Sequence, residues 1–163
     1  MSEADLYDPV QAKLGECLSA VGRAFYLEPA AVKGLSETVK AVIPAGQEIV
    51  FSFFRRKPDL IGYVSGEFAK DLITVEIKEK SLTIEDVYQA KMYKEVFGAR
   101  YGFLVTAAPI PEALKRLCRQ NFSILHSVSD GIRAFLSIAQ FHRVGGFIDW
   151  FEENPFTKEF YWK

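Results

Sequence analysis

The sequence predicts an α/β domain, a mixed central sheet flanked by helices, and three observations carry that prediction. Segments rich in β-formers alternate with segments of helical periodicity, in the order helix, three strands, helix, strand, helix. The length of 163 residues fits one domain spanning 1–163, with a core over about 9–120 and a C-terminal helix and tail over 121–163. Hydrophobic residues make up 49% and charged residues 25%, the balance of a chain able to bury a core.

The elements follow in order. Asp8-Pro9 reads as a helix start, and Val10, Leu14, Cys17, Leu18, Val21, Ala24 and Phe25 fall on one face, predicting a helix over 9–27. A short helix is expected within 29–40, and Pro44-Ala45-Gly46 breaks the chain. Strands are predicted at 48–55, 59–65 and 71–79. Thr83 and Asp86 cap a helix that runs to Phe97 and stops at Gly98. A strand follows at 101–107, then a helix from Pro111 to Gln120, a short strand at 122–125, and a helix from Asp130 to 142. Gly145-Gly146 sets off a tail, FIDWFEENPFTKEFYWK, in which eight of seventeen residues are Phe, Ile, Trp or Tyr. Such a tail either caps the core, forms a homodimer interface, or offers a base-stacking platform.

Several function classes drop out at once. No apolar run reaches the 18 or so residues that span a bilayer, and the acidic start MSEADLYDPV is unlike a signal peptide. Cys17 and Cys118 show no metal or redox spacing, so a reducing, cytoplasmic setting without a membrane partner is expected. His126 and His142 have no mutual spacing and receive no role. A net charge of −1 excludes a globally basic nucleic-acid binder. Residues 50–120 nevertheless hold twelve Lys and Arg against nine Asp and Glu, so an anionic ligand can dock there. Arg55-Arg56-Lys57 either grips phosphates or forms a solvated edge.

The second and third predicted strands concentrate the chemistry. Ser65–Lys70 reads as a hairpin loop, and symmetry about its middle pairs residues whose numbers sum to 135. Asp59 then opposes Glu76, and alternation puts Thr74, Glu76 and Lys78 on one face and Ile73, Val75 and Ile77 on the other. Two carboxylates so close repel unless a cation or a proton intervenes, and a hard divalent metal is their natural partner. On the next helix Gln89 lies within the face that packs on the sheet, where a buried amide needs a specific partner.

Pro58-Asp59 followed by Glu76-Ile77-Lys78 resembles the core motif of the PD-(D/E)XK nuclease superfamily, and Gln89–Tyr93 resembles the Q-x-x-x-Y motif of its RecB-like branch. The resemblance covers about residues 9–107 and implies a restriction-endonuclease-like fold with an αβββαβ core. It implies a metal-dependent nuclease, with DNA the favoured substrate, in repair, recombination, replication or defence. Asp59, Glu76 and the carbonyl of Ile77 would hold Mg²⁺ or Mn²⁺. Lys78 would orient the nucleophile or stabilise transition-state charge, Gln89 would position the nucleophile or the lysine, and Tyr93 would contact substrate. Glu16, in Gly15-Glu16-Cys17-Leu18, is the candidate for the glutamate that many members add from the first helix. The alternative is a protein of the same fold that binds nucleic acid or protein without cleaving.

Overall fold

A computed structural model describes residues 2–31, 34–47, 55–129 and 131–162. The stripe Val10, Leu14 and Leu18 is the buried side of helix α1, Tyr7–Ala20, as its i, i+4 spacing dictates. The helix stops well before 27. Gly22 takes the left-handed φ of 77° that ends a helix, and Phe25–Pro29 forms strand β1 instead. The apolar period ran on through Val21, Ala24 and Phe25, but Phe25-Tyr26-Leu27 favours a strand once a neighbour is there to pair with.

That neighbour is β2, Leu60–Ser65, which forms a hairpin with β3, Lys70–Lys78. The register runs from Leu60 opposite Val75 to Ser65 opposite Lys70, every pair summing to 135 as the loop symmetry requires. β1 reaches β2 only because position 62 is glycine: a Cβ there would lie 1.9 Å from the Tyr26 carbonyl oxygen. Within the expected helix at 29–40, only Glu37–Lys40 is helical, as α2. The strand expected at 48–55 falls outside the described residues except for Arg55, which lies in no strand.

Helix α3, Ile84–Val96, begins in a capping box in which Thr83 Oγ1 accepts from the Asp86 amide while Asp86 accepts from the Thr83 amide. Strand β4 is Tyr101–Thr106, and helix α4, Glu112–Gln120, follows Pro111. Two expectations then invert. Phe122–Leu125 is a helical turn, α5, and the strand comes after it as β5, His126–Ser129. The helix expected to 142 is strand β6, Ile132–His142, which turns into β7, Phe147–Trp150; the Asp130 cap lies outside the described residues. Phe135, Leu136, Ile138, Ala139 and Phe141 are all buried because both faces of β6 are covered, and a near-continuous apolar run does not tell helix from strand.

The described strands make one mixed sheet in the order β1-β2-β3-β4-β6-β5, with β7 pairing the far half of β6. β3, β4 and β6 are parallel, and the other pairings are antiparallel. Helices α3, α4 and α5 cover one face through Val87, Ala90, Leu114, Cys118 and Ile124. α1 and the C-terminal tail cover the other, over Ile73, Val75, Ile77 and Phe103. The tail therefore caps the core. Phe156 stacks on Phe103 with ring centroids 5.6 Å apart, Trp162 packs 4.4 Å from Tyr101, and the Trp162 indole donates to the Pro155 carbonyl at 3.0 Å. A homodimer argued from these rings standing in water loses that premise. No helix among the described residues is long and apolar enough to cross a membrane.

One buried charge is costly. Lys94 on α3 is 5% exposed, its ammonium reaches only the Ser127 hydroxyl, at 3.2 Å, among the described residues, and burial pulls its pKa down. Lys94→Met keeps the stem's packing and removes the buried ammonium. It is expected to stabilise the fold by about 1 kcal/mol, raising the melting temperature about 2–4 °C. A lowered melting temperature would show that the Ser127 contact outweighs burial.

Candidate active site

Parallel strands that end together leave a crevice at their carboxyl ends. Here β3 ends at Lys78, and its antiparallel partner β2 starts beside it, so Asp59 and Glu76 arrive at the same edge. Asp59 is fixed through its carbonyl and both carboxylate oxygens. Its carbonyl accepts from the Ala30 amide at 2.9 Å, Oδ1 accepts from the Tyr7 hydroxyl at 2.5 Å, and Oδ2 accepts from the Ile77 amide at 2.7 Å. Lys78 Nζ donates to Glu76 Oε1 at 2.8 Å and lies 4.0 Å from Asp86 at the start of α3.

Charge is out of balance in this cluster. Asp59 and Glu76 are 6% and 4% exposed, and among the described residues Lys78 is the one cation that acts on both. Burial pushes the Glu76 carboxyl up to about 7, with the Asp59 charge adding to the effect and Lys78 opposing it. Burial also raises Asp59, against the lowering effect of the Tyr7 and Ile77 hydrogen bonds. Burial works against the Lys78 ammonium too, but the hydrogen bond and charge of Glu76 hold its pKa above the ordinary value. Glu76 Oε2 is fully buried and has no hydrogen-bond partner among the described residues. An orphaned carboxylate oxygen beside a second carboxylate is short of a cation.

Among the described residues no three His, Cys, Asp or Glu side chains form a ready-made cation cage. Mg²⁺ does not require one, since it binds through one or two carboxylates and completes its shell with water and substrate phosphate. Asp59 and Glu76 thus fit a divalent cation, and the free Oε2 is the atom that fits it best.

Titration gives a direct check. Glu76 shifts from 4.5 to about 7 on folding without metal, so between those values the folded chain holds a proton that the unfolded chain has released. Its stabilising share is complete below pH 4.5 and is lost as pH rises through 7, on the order of 3 kcal/mol. A cation at Oε2 restores that share only where Glu76 is ionised. Scanning calorimetry with Mg²⁺ is therefore expected to show a larger rise in melting temperature at pH 8 than at pH 5. Equal shifts at the two pH values would contradict it.

The other expected residues separate into two groups. Gln89 is half-buried on α3, with its Nε2 3.5 Å from the Tyr93 hydroxyl. Tyr93 itself is buried, and its pKa, raised mainly by burial, also responds to Glu76 and Asp59, so its place is beneath the site rather than on its surface. Arg55 and Arg56 are exposed and Lys57 half-buried on the stretch that leads into Asp59. Glu16 is not brought to the site. It is exposed, ion-paired to Lys13 at 2.6 Å, and nine residues along α1 from Tyr7, about 14 Å of helix. The helix expected to reach 27 was centred too far along the chain, and α1 meets the site at its first turn instead. Two residues near the start of the chain were missed: Tyr7, which opens α1 and grips Asp59, and half-buried Glu3, in the 3-10 turn Glu3–Leu6 before α1, whose carboxyl is raised by burial and faces Lys78 and Asp59 electrostatically. Both precede the apolar stripe, so periodicity gave no signal for them.

Comparison with protein-family models, curated proteins and solved structures finds no match to this chain.

Proposed function

We propose that this chain is a metal-dependent nuclease of restriction-endonuclease-like fold that hydrolyses phosphodiester bonds of nucleic acid, DNA above all. The observation that carries the reading is the orphaned, buried Oε2 of Glu76 beside the Asp59 carboxylate, with Lys78 at 2.8 Å. Asp59, Glu76 and the Ile77 carbonyl would hold Mg²⁺ or Mn²⁺. A divalent cation at such a site supplies Lewis-acid polarisation of the phosphate and lowers the pKa of water. The chain's own residues supply the rest. Tyr7 and the Ile77 amide lock both Asp59 oxygens, so the carboxylate needs no reorientation during the reaction. Lys78, held as an ammonium by Glu76, orients the attacking water or balances the charge that builds on the phosphate. Gln89 lines the approach from α3 with Tyr93 as its support. Arg55, Arg56 and Lys57 offer cations to flanking phosphates.

The test is a labelled panel of single-stranded, duplex and flapped DNA, incubated with Mg²⁺ or Mn²⁺ and with a chelator. Cleavage that requires the metal is the expected result. DNA binding without cleavage under either metal would favour the non-cleaving binder.

A further inference from the structure

β6 is bordered on its outer side by two short strands that do not meet: β5 pairs with Ile132–Phe135 and β7 with Ala139–His142. In the gap, at Leu136–Ile138, the sheet edge opens on a cavity of about 330 Å³, the small end of the range for ligand sites. Five of its fourteen lining residues carry aromatic rings. Phe122, 71% exposed, stacks on His126 with centroids 4.2 Å apart and planes 14° from parallel. Tyr161 lies nearly parallel to His126, 17° off, with centroids 6.4 Å apart, too close for a ring between them. The exposed Phe122 ring, backed by His126, is where a third flat ring can stack. Burial lowers the His126 pKa, which makes the imidazole a neutral platform.

One polar group in the same cavity lacks a partner among the described residues. Ser137 lines it at 9% exposed, and its hydroxyl makes no hydrogen bond among the described residues. At the rim, Glu152 holds the left-handed φ of 68°, alone among described non-glycine residues, and pairs with Arg119. Strain of this kind persists where surrounding structure enforces it, and it gathers at ligand sites. A flat ring with a hydrogen-bonding edge satisfies both the stacking face and the Ser137 hydroxyl. Nucleobases have that form, and unpaired ones are recognised by stacking on His, Phe and Tyr.

We infer that this cavity receives one unpaired nucleobase of a single-stranded segment. The inference rests on the nuclease reading for the strand that brings the base. The two sites share a row of the sheet: Ile138 in the cavity wall pairs with Leu104, which pairs with Glu76. Leu104 and Ile138 are buried under α3, α4 and α5, so the strand that joins the two sites would run over the surface of those helices.

The experiment is fluorescence of a single-stranded oligonucleotide bearing one 2-aminopurine, titrated with protein in chelator so that no cleavage occurs. Wild type is expected to quench the probe, and the same base paired in a duplex to escape quenching. Phe122→Ala, at an exposed position, is expected to weaken binding about 5- to 100-fold, the effect of losing one stacking partner. Ser137→Ala is expected to weaken it several-fold with the fold intact by circular dichroism. Absence of quenching, or both variants binding like wild type, would overturn the inference. So would 2-aminopurine riboside binding as tightly as the strand, which would mark a free-nucleoside site. Metal-dependent cleavage without quenching removes this inference alone, and quenching by a protein that never cleaves removes the nuclease reading alone.

Discussion

Glu76→Gln and Lys78→Ala are each expected to slow the proposed DNA cleavage by about two to three orders of magnitude without unfolding the protein. Glutamine has nearly the volume of glutamate, so the site between β3 and α3 keeps its packing. What changes is charge: Oε2, the oxygen without a partner, loses its hold on a cation. The same change removes the group whose carboxyl is pushed up to about 7, so the variant at pH 8 should be no less stable than the metal-free wild type. Lys78→Ala leaves both carboxylates and removes the ammonium that sits 2.8 Å from Glu76. Losing one preorganised charge at a developing oxyanion costs about 3–4 kcal/mol of transition-state stabilisation. DNA binding depends on many phosphate contacts and is expected to persist in both variants. Single-turnover rates and equilibrium binding, measured together, separate these effects. Two variants that cleave like wild type would remove both residues from the mechanism.

Trp162→Ala is expected to destabilise the fold by about 3–5 kcal/mol and lower the melting temperature by about 10 °C. The indole is buried among Tyr101, Phe135 and Phe156, and its N–H is satisfied by the Pro155 carbonyl. Truncation leaves a cavity against β4 and frees the Tyr161 carbonyl segment that the Tyr101 hydroxyl holds at 2.6 Å. Trp162→Phe, which keeps a ring and loses only the hydrogen bond, should recover most of the loss. Denaturant titration of the three proteins checks this. A loss below 1 kcal/mol in the alanine variant would mean that the tail only rests on the core.

What the sequence disclosed follows from the range of the forces involved. The β2–β3 hairpin, its register and the shared face of Asp59 and Glu76 were legible because a short symmetric loop and strict alternation are local rules. The Thr83–Asp86 cap was legible for the same reason. β1 was not, because a strand that exists through pairing with β2 across more than thirty residues leaves only an ambiguous apolar run. β6 was misread as helix because burial on both faces erases the alternation that marks a strand. In the site, Tyr7 and Glu3 come from the first turns of the chain, and only the packing of α1 against β3 brings them to Asp59. Glu16 matched a short pattern, but it sits on the wrong turn of that helix.

The nuclease proposal stands on Asp59 and Glu76 forming a divalent-cation site. Isothermal titration of Mn²⁺ into wild type, Asp59→Asn and Glu76→Gln at pH 8 tests it without reference to any substrate. One saturable site is expected in wild type, with at least tenfold weaker binding in each variant. Wild type without a saturable site, or variants that bind Mn²⁺ as wild type does, would contradict it.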